Sequence, residues 1–480
     1  MHQNICYMTA DLVSLTALEQ AHHIRSGALS PPELVQLYLE RIEQIDPQLN
    51  SYVTVTAESA LQQAQQMTAR LGKGEALPPF FGVPIAIKDL APVEGVRFTL
   101  GSAALKQQGN TATFDNAIVA HLKRAGFILL GKTATPELGT LPYTEPPGFP
   151  PTRNPWNLDY TPGGSSGGAA AALAAGLCPI AQASDGGGSI RGPAHCCGLV
   201  GIKPARGRIS AAPLGYTPGS IATGGPLART VADAAAFLDA VEGYVPGDPY
   251  WLPSPTPAFE AIARQGAQGV SPKRIGLITG FPSVGATHPD CLKPLQQTAE
   301  RLAALGHHVE SIDPEPLRCQ ELIAPFTVVF RSGIGAAGIP PEALSPMNQW
   351  FLNHNNTAAD FHKALWTMQG IARRLVQQLS PFDVVLLPIY LHPTIRVGEW
   401  ADLSPEATMD KMIEWIFPCP LFNATGQPAI ALPVGLDSNG LPVGVQLVGR
   451  PADEATLIAI AAQLEAAHPW PHPLPLAQLP

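Results

Sequence analysis

The chain has 480 residues, 45% of them hydrophobic and 14% charged, with a formal net charge of -9. That suffices for a large buried core, and an acidic balance without a basic tract argues against nucleic acid as the main partner. Seven scattered cysteines, an odd count with no Cys-x-x-Cys pair, argue against a disulfide framework and against a zinc centre, so no metal is expected.

Met1 to Asp11 lacks the charged and apolar regions of a signal peptide, and no apolar run reaches the roughly 18 residues of a membrane span. The expectation is a cytoplasmic protein with no membrane partner. Residues 12–46 predict two helices. Thr16-Ala-Leu-Glu19 and Ser30-Pro-Pro-Glu33 both fit the capping box, the second with proline at the first helical position. Leu34, Leu37, Tyr38, Ile42 and Ile45 then repeat at helical spacing. A third helix, rich in Ala and Gln, covers Ala57 to Leu71.

Phe81-Gly-Val-Pro-Ile-Ala-Ile-Lys-Asp89 reads as a buried strand that delivers Lys88 at its end. A lysine there, beside Asp89, is ordinarily snorkelling or salt-bridged. It acquires a chemical role only where a neighbour needs a base. Phe114 to Arg124 reads as a helix. Gly126-Phe-Ile-Leu-Leu-Gly-Lys-Thr133 then matches the Gly-x4-Gly-Lys-Thr pattern of nucleotide-binding loops. Its four intervening residues are a strand interior, however, and Pro136 cuts off the helix that would hold a phosphate. It is read as a buried strand.

Tyr143 to Tyr160 is a proline-rich ordered loop that leads into two glycine clusters. The first is Pro162-Gly-Gly-Ser-Ser-Gly-Gly168, the second Ser184-Asp-Gly-Gly-Gly-Ser-Ile-Arg191. Glycine on both sides of a serine suits a strained or closely approached backbone that leaves the side chain clear. Consecutive N–H groups of such a turn can converge on an anion or a developing oxyanion. Between the clusters, Gly167 to Gly176 forms a short helix of small residues suited to tight packing. A linker or plain turn would use the same residues, so glycine alone does not decide the matter.

His195, Cys196 and Cys197 follow, where neighbouring side chains point apart and buried packing is the simpler role for the thiols. A strand at Leu199 to Lys203 and a helix at Thr230 to Glu242 come next. Val245 to Pro257 is the one linker-like stretch before a strand at Arg274 to Thr279. Helices at Pro294 to Leu305 and Ala359 to Leu379 precede a strand at Val384 to Pro388. Gly333-Ile-Gly-Ala-Ala-Gly338 has the letters of a dinucleotide fingerprint but no helix after it. Strands at Ala429 to Gly435 and Val443 to Gly449 join through Asp437-Ser-Asn-Gly440, and a last helix spans Glu454 to His468.

Two chemistries fit the serines. Gly-x-Ser-x-Gly occurs twice, centred on Ser165 and Ser166, as in the nucleophile elbow of α/β-hydrolases. That chemistry needs a histidine, and His195, His307, His308, His392 and His468 are available without a distinctive setting. The other choice is a lysine base whose pKa is lowered by burial, which Lys88 could supply.

Lys88 in Ile-Lys-Asp, the Gly-Gly-Ser-Ser-Gly-Gly cluster and Asp185-Gly-Gly-Gly-Ser-Ile-Arg191-Gly-Pro-Ala together resemble the amidase signature family. Ser165 and Ser189 stand 24 positions apart, as that pattern requires. Gly131-Lys-Thr, Thr152-Arg-Asn-Pro-Trp156, Gly201-Ile-Lys-Pro204 with Gly207-Arg208, and Gly426-Gln-Pro-Ala429 extend the resemblance from about residue 20 to residue 465. It implies an α/β fold with a twisted mixed β-sheet surrounded by helices. It also implies a single amidase domain over 1–480, with N-terminal helices at 12–72, a catalytic core at 75–240, a variable substrate wall at 280–420 and a C-terminal hairpin and helix at 420–468.

The resemblance further implies Ser189 as nucleophile, Ser165 as a bridging serine on a cis peptide after Gly164, and Lys88 as base. The N–H groups of Gly186, Gly187, Gly188 and Ser189 would form the oxyanion hole, with Ser166, Asp185 and Arg191 in support. Gly186 and Gly187 stand where many members carry a side chain. No cofactor is implied, the partner is a small-molecule amide, and a homodimer is left open. Thr144-Glu-Pro146 and Phe422-Asn-Ala-Thr-Gly-Gln-Pro-Ala-Ile are most similar to the 6-aminohexanoate cyclic dimer hydrolase type of bacterial amidase. The rival is the glutaminyl-tRNA amidotransferase A subunit, whose Ser-Leu-Asp-Gln segment is replaced here by Gly219-Ser-Ile-Ala-Thr-Gly-Gly225. Substrate walls are expected from Tyr143 to Phe149 and from Phe326, Phe330, Trp350, Phe351, Phe361, Trp366, Trp415 and Phe417, and they favour a neutral amide.

Overall fold

The computed structural model describes residues 9–71, 73, 76–354 and 357–470, so most of the stretch from Met1 to Asp11 lies outside them. Among the described residues, eleven strands form one mixed sheet: β1 (Tyr52–Val55), β2 (Pro84–Lys88), β3 (Ile128–Thr133), β4 (Ala181–Asp185), β5 (Val200–Lys203), β6 (Thr223–Ala228), β7 (Arg274–Leu277), β8 (His308–Ser311), β9 (Val384–Pro388), β10 (Ala429–Leu436) and β11 (Pro442–Gly449). Their order across the sheet is β1-β3-β2-β4-β6-β5-β10-β11-β9-β7-β8. The strands β3, β2 and β4 run parallel, as do β9, β7 and β8, and the remaining neighbours are antiparallel. This is the α/β architecture with a mixed sheet that the family resemblance implied.

Helices cover the sheet, so its inner strands are apolar along both faces. Every residue of β2, β3, β5, β9 and β11 is buried. Both N-terminal capping boxes form, Thr16 with Glu19 and Ser30 with Glu33, and they start helices Ala17–Arg25 and Pro31–Leu49. The helix expected from Pro294 starts earlier, at Pro289, and carries Pro294 inside it. Val245 to Pro257 stays irregular, yet β6 before it and β7 after it belong to the same sheet. No helix among the described residues is long and apolar enough to cross a membrane.

Three features of this fold position the site. First, β2 and β4 pair in parallel, with Ile87 opposite Gln182, so Lys88 and Asp185 leave the sheet at the same edge. Second, helix Gly167–Ala174 is buried along its whole length and packs on β2 and β4, which brings Ser165 and Ser166 over that edge. A Cβ on Gly168 would lie 2.3 Å from the Ala134 nitrogen, so the small residues of this helix are required by its close approach to the sheet. Third, helices Ile323–Arg331, Ala358–Leu379 and Pro420–Thr425 build a separate apolar cluster beside the second glycine loop, and Ile413 of helix Pro405–Ile416 packs against it.

Candidate active site

The amine of Lys88 has no exposure to solvent and faces three serine hydroxyls. Its Nζ lies 2.8 Å from Ser165 Oγ, 2.9 Å from Ser166 Oγ and 3.2 Å from Ser184 Oγ. The adjacent Asp89 does not share it. Asp89 takes an ion pair from Lys132 at 2.8 Å, because successive side chains on an extended chain point to opposite sides. Burial pulls the Lys88 pKa from 10.5 to about 7, against the opposing pull of Asp185. Near neutral pH a substantial share of this amine is therefore uncharged and able to take a proton.

Ser165 follows a cis peptide bond from Gly164 and is 2% exposed. Ser166 links Lys88 to the backbone of Ser184, donating to its carbonyl at 3.2 Å and accepting from its N–H at 3.4 Å. Ser189 is half-buried and lines two cavities, one of which it shares with Ser165. Its hydroxyl has no hydrogen-bond partner among the described residues. The structure thus places Lys88, Ser165 and Ser166 together and sets Ser189 on the cavity that Ser165 borders, without a direct bond.

Asp185 organises the loop that carries Ser189. Its carboxylate accepts from the N–H groups of Gly188 at 2.7 Å and Ile190 at 3.2 Å, and from the Arg191 guanidinium at 2.9 and 3.0 Å. Burial alone would raise its pKa, but Arg191, Lys203 and Asn423 outweigh it and hold the carboxyl well below the usual range. Arg191 is fully buried and also donates to Asn423 Oδ1 at 2.7 Å, Gln446 Oε1 at 2.9 Å and the Cys419 carbonyl at 3.1 Å.

One expected oxyanion donor is corrected by this geometry. The Gly188 N–H is already given to Asp185, so it is not free for an oxyanion. The N–H groups of Gly186, Gly187 and Ser189 have no acceptor among the described residues. Gly188 has φ +122, and a Cβ there would lie 2.7 Å from Cys419 Cβ. Its role is to turn the loop.

The remaining motifs fall elsewhere. His195 is buried and accepts the Gly444 N–H at 3.0 Å, and burial lowers its pKa to about 4. None of the five histidines lines the cavities that hold Ser165 and Ser189. Cys196 is buried and its thiol is pushed up to about 12 by that burial. Lys132 of the nucleotide-loop match sits in the buried strand β3 on Asp89. Gly333 to Gly338 passes through a short 3-10 turn, Ile334–Ala337, whose residues help line the wider cavity.

The residues expected to form substrate walls fall in different places. Phe326, Phe330, Phe351 and Phe417 line a cavity of about 780 Å³ that reaches Gly187, Gly188 and Ser189. Trp415 instead lies in the core, and Trp366 is 70% exposed. Tyr143, Glu145, Pro146 and Pro147 line a separate cavity of about 940 Å³ that none of Ser165, Ser166 and Ser189 borders, whereas Leu141 and Pro142 border the apolar one. Sequence reading missed Met409, Met412, Ile413 and Ile416, which face the apolar cavity from helix Pro405–Ile416. It also missed Ser184, Asn423 and Gln446 as members of the site. Gln446 had a visible signal, a polar residue inside the apolar strand β11.

An amidase family model matches residues 33–458. A putative amidase of Synechocystis sp. is 46% identical, covering 96% of this chain and 90% of its own. The 6-aminohexanoate-cyclic-dimer hydrolase of Pseudomonas sp. is 35% identical over 95% of each chain. A solved structure of 6-aminohexanoate cyclic dimer hydrolase complexed with substrate superposes with a TM-score of 0.89 at 32% identity, covering 95% of this chain and 98% of that one. These similarities run nearly the length of the molecule: the chain belongs to the amidase signature family and is an amide-hydrolysing enzyme.

Proposed function

We propose that the enzyme cleaves a neutral carboxylic amide to an acid and an amine through an acyl-enzyme on Ser189. The observation that carries this reading is the contact of 2.8 Å between Ser165 Oγ and a fully buried Lys88 whose pKa lies near 7. In the first half-reaction the Ser189 hydroxyl adds to the amide carbon. Its proton passes to Ser165, whose own proton moves to the Lys88 amine. The carbonyl oxygen becomes an oxyanion within reach of the free N–H groups of Gly186, Gly187 and Ser189. Lys88 then returns its proton through Ser165 to the amide nitrogen, the C–N bond breaks and the amine departs. Water repeats the sequence on the ester, releasing the acid and restoring Ser189. These steps balance with no metal or organic cofactor.

Among the described residues, no charged side chain lines either cavity at Ser189. A substrate with a fixed charge would lose its hydration there without a partner, which favours a neutral amide over glutamine. Similarity to 6-aminohexanoate-cyclic-dimer hydrolases supports a cyclic amide as one candidate. The test is labelling with a fluorophosphonate and mapping by mass spectrometry, alongside turnover of hexanamide, benzamide, a cyclic diamide and glutamine. An adduct on Ser189 is expected; an adduct on Ser166 overturns the assignment. A preference for glutamine that depends on a partner subunit and charged tRNA would establish the transamidase reading instead.

A further inference from the structure

Ser189 stands where two unlike cavities meet. One is the apolar cavity of about 780 Å³, whose walls are Leu141, Phe326, Met412, Ile413, Phe417 and similar side chains. The other is wider, about 1770 Å³, and is lined at its floor by Ser165, Gln182 and Ser184 and further out by Ser210, Tyr216 and Thr217. Both include Ser189, but Ser165 borders only the second, while Gly187 and Gly188 border only the first.

The tetrahedral intermediate on Ser189 carries an oxyanion, the acyl substituent and the departing nitrogen. That nitrogen must receive a proton before the C–N bond breaks, and the relay in reach is Ser165 Oγ on Lys88. The nitrogen therefore lies on the side that Ser165 borders. The oxyanion is held by the glycine loop, so the acyl substituent is left to extend into the other cavity.

We propose that the apolar cavity is the acyl site and the wide cavity of mixed lining the amine site, so that the enzyme selects amides of apolar acids and accepts varied amines. This rests on the Ser189 acyl-enzyme reading. Helix Pro405–Ile416 supplies much of the acyl wall through Met409, Met412, Ile413 and Ile416, so specificity for the acid is set there. The amine side is framed by Ile334, Ala336 and Ala337 and by the stretch from Ser210 to Pro218, which sets the hydroxyls of Ser210, Tyr216 and Thr217 among apolar side chains such as Leu214.

The experiment compares kcat/KM for acetamide, hexanamide and N-hexylacetamide, which place the same hexyl-scale chain on opposite sides of the scissile bond. For the wild type, each methylene added to the acyl chain raises kcat/KM about fourfold while it is being buried. Ile413→Trp fills the acyl cavity and lowers the hexanamide-to-acetamide ratio on the order of tenfold or more, with the N-hexylacetamide-to-acetamide ratio retained. Ala337→Trp has the reverse pattern. Should Ile413→Trp fail to fold, Phe326→Ala enlarges the same cavity and shifts the best acyl chain to greater length. If Ile413→Trp depresses the N-hexylacetamide ratio and spares hexanamide, or moves both ratios equally or neither, the assignment of sides is overturned. Absence of any Ser189 adduct and of all amide turnover in the wild type would instead sink the acyl-enzyme reading, and the proposal with it.

Discussion

Asp185 Oδ1 accepts the Gly188 N–H at 2.7 Å, so the carboxylate that carries Arg191 also fixes the loop that presents Ser189. Both side chains are fully buried. Two charges in this setting are tolerable only as a pair with their remaining hydrogen bonds satisfied, and here Asn423, Gln446 and backbone groups supply them. Arg191→Ala leaves the Asp185 carboxylate buried and unpaired. The expected loss is about 3–5 kcal/mol of stability, read as a lower denaturation midpoint. Arg191→Lys does not restore it, since an ammonium cannot reproduce the two-pronged contact. An unchanged midpoint in either variant would contradict this.

Lys88 and Lys203 form a natural control pair. Burial lowers both to about pH 7, but Lys203 Nζ contacts the Pro204 carbonyl at 3.0 Å and no serine. The base must be neutral, so kcat/KM rises with pH through about 7. Lys88→Met removes this rise and lowers the rate by roughly 10²–10⁴ or more. Lys203→Met retains an ionisation near 7. A profile that loses its ionisation with Lys203→Met would move the base to the wrong lysine.

The same shift has a stability consequence with a defined sign. A lysine whose folded pKa lies below its ordinary 10.5 penalises folding in full below about pH 7. The penalty shrinks from about pH 7 to 10.5, where the folded amine is neutral and the unfolded one still charged. Lys203→Met therefore raises the melting temperature most below pH 7, and the gain declines toward pH 10. Melting curves at several pH values check the trend; a gain that grows with pH would contradict it.

In the proposed relay, Ser166 and Ser184 hold the Lys88 amine at 2.9 and 3.2 Å and do not carry the transferred proton. Loss of one hydrogen bond of this kind costs about 1 kcal/mol. Ser184→Ala is expected to lower kcat about fivefold to tenfold and to move the ionisation near 7, with KM little changed. Ser165→Ala, which removes the relay itself, should cost far more. Equal losses from Ser184→Ala and Ser165→Ala would mean the relay is misassigned.

Adjacent glycines should respond differently to alanine. Gly188 has φ +122 and a Cβ would meet Cys419 Cβ at 2.7 Å, whereas a Cβ on Gly187 meets nothing closer than Phe326 at 3.9 Å. Gly188→Ala is expected to lower the melting temperature by several degrees and Gly187→Ala to leave it nearly unchanged. Equal melting temperatures in the two variants would refute the turn role of Gly188.

Local patterns carried much of the fold. The capping residues at Thr16 and Ser30, the apolar run before Lys88 and the hairpin signal at Asp437 to Gly440 each state their structure within a few residues. Strand β6, Thr-Gly-Gly-Pro-Leu-Ala, was not legible, because two glycines and a proline oppose a strand locally and only its neighbours β4 and β5 make it one. Helix Pro405–Ile416 was passed over although its apolar residues recur at helical spacing.

The sequence by itself determined which groups could do chemistry: Lys88 on a buried strand, serines flanked by glycine, and an acid and an arginine bracketing the second loop. Spacing and residue type suffice for that, since each motif is read over a short stretch. Only the tertiary structure decided that Lys88 meets Ser165, 77 positions away, rather than its neighbour Asp89. It likewise decided that Gly188 spends its N–H on Asp185, that Arg191 reaches Gln446 across 255 positions, and that two unlike cavities meet at Ser189. The reason is physical. Burial, pairing and cavity shape are properties of surfaces brought together from distant parts of the chain, and no local pattern encodes which surfaces will meet.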